Sequence, residues 1–142
     1  MLIFYFLIIA GFIIGLGAVT VIDLHGFLGR HSSYWTEATT RTHKVTKPLI
    51  WIGITLLAIG TTGVYQGNLF FLQLAIIAIL VLNGFFLSFS VSPFLLNRET
   101  EGHASDLLPA VWQRKITASF IVSFLGWWGS VLLFALSISD II

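Results

Sequence analysis

Residues 2–22 read LIFYFLIIAGFIIGLGAVTVI, a run that contains no charged side chain. A helix needs about 20 residues to cross the ~30 Å of hydrocarbon in a bilayer, so this run is long enough to span one. It has no basic segment before it and no small-residue cleavage site followed by a polar chain, as a secretory signal peptide would have. The run is therefore predicted to be a transmembrane helix that the protein retains.

Three more apolar runs of spanning length follow, at residues 48–65, 69–91 and 116–138. The 142-residue chain is 57% hydrophobic and 9% charged, whereas a soluble domain carries about 25% charged residues. Lipid offers the backbone no hydrogen-bond partner, so each run must be a helix, and four strands could not close a barrel. The third helix is expected to end at Ser92, because a residue before proline disfavours the α conformation. The predicted fold class is all-α, a four-helix transmembrane bundle in which residues 1–142 form a single domain.

The second helix has two alternative starting points. Ser33 is a suitable N-cap, and Glu37 precedes Arg41 by four residues, the favourable order for an ion pair on a helix. A helix extended back to residue 33 would contain Pro48, with a hydrogen bond lost and a kink expected. Alternatively, Thr46 caps the helix and Pro48 lies in its first turn.

The basic residues predict the orientation of the bundle. All seven lie between helices 1 and 2 or between helices 3 and 4: Arg30, Arg41, Lys44, Lys47, Arg98, Arg114 and Lys115. The turn at 66–68 has none, and Asp140 is the only charged side chain near the termini. By the positive-inside rule, both polar loops are cytoplasmic and both termini lie outside. The predicted location is a bacterial inner membrane, as an integral membrane protein.

Small residues recur at helical spacing on every predicted helix. They are Gly11, Gly15 and Ala18; Gly53, Gly60, Gly63 and Gly67; Gly84, Ser88 and Ser92; and Ser119, Ser123, Gly126 and Ser130. Such stripes let helices approach closely, so a bundle with little room for a large central cavity is expected. The same stripes could instead join copies of the chain into a homo-oligomer.

The loop side of the predicted bundle carries the candidate binding residues, which we call the polar belt. It comprises Asp23, His25, His31, Arg41, His43, Lys44, Lys47, Arg98, Glu99, His103, Arg114 and Lys115. Candidates for holding a cofactor are Asp23, His25, Arg41, His43 and Lys47. Candidate ligands for a divalent metal are His25, His43 and His103, since imidazole is a common metal ligand. A haem is the alternative cofactor, with basic residues on its propionates. In a third interpretation the belt contacts only water and anionic lipid headgroups.

Two amides, Gln73 and Asn83, lie within the third apolar run. An amide in hydrocarbon usually finds an interhelical hydrogen-bond partner, so a structural role is favoured over contact with a substrate.

Several kinds of chemistry are disfavoured by what the sequence lacks. The chain has no cysteine, no GxSxG elbow, no HExxH helix and no phosphate-binding glycine loop. No ionisable residue falls at the central depth of a predicted helix, which argues against proton relays, ion-coupled transport and a haem held by two buried histidines. A net charge of +1 spread over mixed loops gives no indication of a nucleic-acid partner.

Three segments carry a family resemblance: GLGAVTVIDLHGFLGRH at 15–31, ATTRTHKVTKPLIWIGITLLAIG at 38–60 and LNGFFLSFSVSP at 82–93. The chain resembles uncharacterised small bacterial four-helix membrane proteins, which are similar in plan to short bacterial protoporphyrinogen oxidases and to copper-resistance-D-type membrane proteins. Those oxidases carry a haem-ligating histidine early in helix 1, and MLIFYFLIIAGFIIG at 1–15 has none. What the resemblance implies here is a substrate- or propionate-holding role for Lys47 or Arg41.

These observations favour a non-enzymatic accessory or assembly factor that binds a partner or cofactor in a membrane redox or haem system. Its expected partners are the lipid bilayer and either further copies of itself or a membrane redox protein. One alternative is a haem- or porphyrin-handling enzyme that uses His25, His43 and Lys47. Another is a small oligomeric transporter or channel with Asn83 and Gln73 along its path.

Overall fold

The computed structural model describes residues 1–139, and within them every regular element is helical. Among these described residues, four helices are long and apolar enough to cross a membrane: α1 (Leu2–Leu28), α2 (Ser33–Val64), α3 (Gly67–Thr100) and α4 (Ala110–Ile138). The all-helical, four-helix part of the prediction is confirmed. The placement of the loops and termini relative to the membrane stays a prediction, and Asp140 lies outside the described residues.

The helices extend beyond the apolar runs at the end where α1 joins α2 and α3 joins α4, which we call the loop end. α1 continues six residues past Ile22, α4 begins at Ala110, and α3 runs on to Thr100. The expectation that α3 ends at Ser92 is wrong. A π-helical turn, Leu87–Val91, precedes Pro93, which then occupies the first turn of the following α-helical segment, where its missing N–H is tolerated.

α2 takes the longer of its two predicted forms. The helix begins at Ser33 and is capped by Ser32, one residue earlier than expected, whose Oγ accepts from Trp35 N at 3.5 Å. Glu37 and Arg41 form the predicted ion pair at 2.5 Å. Thr46 is not a cap, because it lies inside the helix and its hydroxyl donates to the Thr42 carbonyl at 3.2 Å.

The glycine stripes of α1 and α2 bring these two helices into backbone contact. A Cβ placed on Gly53 would lie 2.7 Å from Gly15 N and 3.0 Å from Gly11 O, and one on Gly60 would lie 2.9 Å from Phe4 O. The glycine stripe of α1 and that of α2 therefore pack against each other within one chain.

The remaining contacts close the bundle. α3 packs on α2 where Gly84 meets the ring of Trp51, α4 packs on α3 where Gly126 meets Leu80, and Phe12 of α1 meets Phe134 of α4 with ring centroids 5.8 Å apart. In the middle of the bundle Trp127 is fully buried against Gly15. This tight packing agrees with the expectation of little room for a large central cavity. Nearer the loop end the four helices leave a smaller cavity between them.

Candidate binding cavity at the loop end

A cavity of about 230 Å³ lies between all four helices near the loop end. Its volume approaches the lower end of the range for small-molecule sites, about 300–1,000 Å³. Most of the wall is apolar, with Phe27 from α1, Ile50 from α2, Leu87 from α3 and Phe120 from α4. A cavity with such walls suits a ligand that carries a hydrocarbon or aromatic body.

One side of the cavity is polar and joins α2 to α3. His43 Nδ1 lies 2.6 Å from the Thr40 carbonyl oxygen, which can only accept, so Nδ1 carries the proton. In the neutral ring Nε2 then accepts from the hydroxyl of Ser92, 3.1 Å away. Lys47 Nζ donates to the same Ser92 oxygen at 3.4 Å. The result is an ordered chain of hydrogen bonds from Lys47 through Ser92 and His43 to the backbone.

Two further contacts between α2 and α3 flank this chain. Trp51, which also lines the cavity, donates its Nε1–H to Ser88 at 3.1 Å. Closer to the loops, Lys44 and Glu99 form an ion pair at 2.5 Å. The polar wall is thus fixed at both ends, which limits how far its side chains can move.

Asp23 and Arg30 bring ionisable side chains to the cavity from α1 and from the residues that follow it. Asp23 is half-buried, and among residues 1–139 neither it nor Lys47 forms an ion pair. Arg30 is exposed and lies with its guanidinium carbon 5.8 Å from the centre of the Phe27 ring.

The structure brings together three of the five candidate cofactor residues. Asp23, His43 and Lys47 line the cavity, and His25 and Arg41 do not. Arg41 is exposed and pairs with Glu37. His25 lies against the Trp35 ring with centroids 5.2 Å apart, and its buried Nδ1 has no hydrogen-bond partner among residues 1–139.

The three candidate metal ligands are separated. His43 lies in the cavity, His25 lies beside Trp35, and His103 pairs with Asp106 at 2.7 Å in the α3–α4 loop. Within the described part of the chain, no three His, Cys, Asp or Glu side chains are grouped to hold a metal ion. Haem fits the cavity no better, because both ring nitrogens of His43 are already hydrogen-bonded.

Both intramembrane amides are bound between α3 and α4. Asn83 donates to the Ser119 carbonyl at 3.2 Å and accepts from the Ser119 hydroxyl at 2.8 Å. Gln73 donates to Ser130, and both side chains are fully buried. The interhelical partners predicted for these amides are confirmed, and neither amide lines the cavity.

Ser88 and Ser92, which the sequence interpretation assigned to a packing stripe, line the cavity together with Trp51. One feature of the sequence could have indicated which helix face forms this side of the cavity. Polar side chains recur along one face of α2 at spacings of three and four residues: Thr36, Thr39, Thr40, His43, Thr46 and Lys47. On a membrane helix such a polar face must turn away from lipid, toward other helices or a cavity.

Fold and cavity together define a small all-helical protein with four candidate membrane-spanning helices, the architecture of an integral membrane protein. Comparison with protein-family models, curated proteins and solved structures finds no match to this chain.

Proposed function

We propose that this protein binds a small amphipathic molecule in the loop-end cavity and serves as an accessory or assembly factor of a membrane redox or haem system. The observation that carries the proposal is the pairing of apolar walls with one polar wall, made by His43, Lys47 and Ser92. A ligand with an apolar body and a polar head matches both surfaces. The accessory role draws support from the concentration of basic and histidine residues at the loop end and from the family resemblance.

The geometry favours this function over the two alternatives. A haem-handling enzyme would need a histidine with an available nitrogen in the cavity, and His43 offers none without breaking a hydrogen bond. A channel would need Asn83 and Gln73 along a path, and their side chains instead join α3 to α4.

Trp51 gives the proposal a direct test, because its indole lies at the cavity wall. A brominated medium-chain fatty alcohol is titrated into the protein in nanodiscs, since bromine quenches tryptophan fluorescence at close range. We expect saturable quenching in the wild type, and its saturable part is expected to be lost in Trp51→Phe. Trp128→Phe is the matched control, because that indole is half-exposed on α4 and away from the cavity. Quenching that rises linearly and equally in all three proteins would contradict the proposal.

The orientation forms part of the proposal, with the loop end and its cavity on the cytoplasmic side of a bacterial inner membrane. The charge asymmetry of the loops supports it. The chain has no cysteine, so a single one can be introduced at Ser33 or at Asn68 and labelled with a membrane-impermeant reagent. We expect labelling of intact cells at position 68 and not at position 33, with both positions labelled after lysis. Labelling of both positions in intact cells, or of position 33 alone, would refute the orientation.

A further inference from the structure

We infer that the molecule held in the cavity is a single-charged anionic amphiphile whose acidic head is bound by Lys47. This inference rests on the proposed function and specifies the chemical class of its ligand. The head is a carboxylate or a phosphate ester, on either a single-chain acid or a membrane phospholipid.

The first argument is the charge of the cavity wall. Two permanent cations, Lys47 and Arg30, line the cavity together with one carboxylate, Asp23, while His43 is hydrogen-bonded as a neutral ring. Arg30 is exposed to solvent, whereas Lys47 is half-buried and forms no ion pair among residues 1–139. An uncompensated charge in an apolar, partly dehydrated site is costly, and one negative charge on a ligand would remove that cost.

The second argument is the unused hydrogen-bonding capacity of Lys47. An ammonium group has three N–H donors, and among residues 1–139 its only side-chain partner is Ser92. The side chain is half-buried at the cavity wall. Ser92 is 3% exposed and is held by His43, so the ammonium is fixed at one side while its other donors remain available to ligand oxygens.

The third argument is the arrangement of polar and apolar surface. The polar chain of Lys47, Ser92 and His43 lies on the α2–α3 side, and Phe120 and Ile121 of α4 supply apolar wall. A headgroup at Lys47 would leave the hydrocarbon part of the molecule against Leu87, Ile50 and the α4 side chains. A fully polar anion such as inorganic phosphate would leave these apolar walls without a partner.

The test compares ligands that share one apolar chain and carry heads of different charge. A brominated medium-chain fatty acid, the matching alcohol and the matching quaternary amine are titrated against Trp51 fluorescence at about pH 8, where a carboxylic acid is ionised. We expect the acid to bind about tenfold more tightly than the alcohol, as one charge-assisted hydrogen bond would give. The amine is expected to bind most weakly.

The variant Lys47→Gln separates this inference from the proposed function. We expect this variant to bind acid and alcohol with equal affinity. Arg114→Gln removes an exposed cation outside the cavity and is expected to keep the preference for the acid. Equal binding of acid and alcohol by the wild type would overturn the inference and leave the proposed function intact, whereas the absence of saturable binding of either would overturn both.

A competition arm distinguishes the two sources of the anion. Nanodiscs made of phosphatidylcholine are compared with nanodiscs that contain phosphatidylglycerol, a monoanionic phospholipid. Weaker acid binding in the second would assign the site to a phospholipid headgroup, and unchanged binding would assign it to a single-chain acid. Lys47→Gln is expected to abolish any effect of phosphatidylglycerol, and an effect that persisted in this variant would count against Lys47 as the binding group.

Discussion

Replacing Gly53 with alanine is expected to lower the free energy of unfolding by about 3 kcal/mol, the upper part of the usual range for overpacking. The added Cβ would meet the backbone of Gly15 and would lie 3.0 Å from the Gly11 carbonyl oxygen. Backbone atoms cannot rotate away as a flexible side chain can, so α1 and α2 must move apart. That movement would also loosen the packing of Trp127, which fills the space beside Gly15.

Gly17→Ala is the matched control for this prediction. Gly17 belongs to the same helix as Gly15, but a Cβ there would meet no atom of residues 1–139 within 4 Å. The higher helix propensity of alanine should then leave stability unchanged or raise it by up to about 1 kcal/mol. Reversible unfolding in mixed micelles, followed by circular dichroism, measures both variants. Equal stability of the two variants would show that the α1–α2 contact is not the tight packing described above.

A comparison of Gly15 with Gly26, both in α1, explains why the sequence predicted the fold better than the packing. A run of apolar residues long enough to span the bilayer leaves the backbone no alternative to a helix, so the four helices followed from run length alone. Gly15 and Gly26 look alike in the sequence. Gly15 touches α2 and Trp127, whereas Gly26 lines the cavity, and a Cβ added there would meet no atom of the described residues within 4 Å. Which of these occurs depends on the side chains of other helices, and spacing on one helix does not contain that information.

The end of α3 was mispredicted for a related reason. The apolar run of α3 ends near Val91, but its backbone hydrogen bonds continue to Thr100. The end of an apolar run indicates where contact with lipid ends, whereas a helix ends where its backbone hydrogen bonds end. The π-helical turn before Pro93 is a local rearrangement with no clear signature in the sequence.

Among the residues of the candidate site, the sequence predicted only those with an ionisable side chain. Asp23, His43 and Lys47 stand out as ionisable residues beside apolar runs, and all three line the cavity. Ser92 was assigned to a helix end and a packing stripe, because a serine shows its role only when its neighbours in space are known. Those neighbours are His43 and Lys47, which are more than 40 positions away in the chain.

Ser92→Leu is expected to lower the affinity for the neutral brominated alcohol by more than tenfold. Ser92 lies at the cavity wall, where a leucine would occupy part of the volume available to a ligand. The substitution also removes the acceptor used by Lys47 and the hydroxyl that donates to His43. Ser92→Ala removes the same hydrogen bonds without filling the cavity, so it is expected to bind the alcohol almost as the wild type does.

The two Ser92 variants therefore separate occupied volume from lost hydrogen bonding. Ser90→Leu places the same side chain in the same turn of α3, at an exposed position outside the cavity, and is expected to bind the alcohol normally. Saturable Trp51 quenching measures affinity, and circular dichroism in the same nanodiscs confirms that each variant is folded. If the ligand bound elsewhere between the helices, its affinity would not depend on the volume of the side chain at position 92. Equal affinities of folded Ser92→Leu and Ser90→Leu would thus place the binding site outside the loop-end cavity.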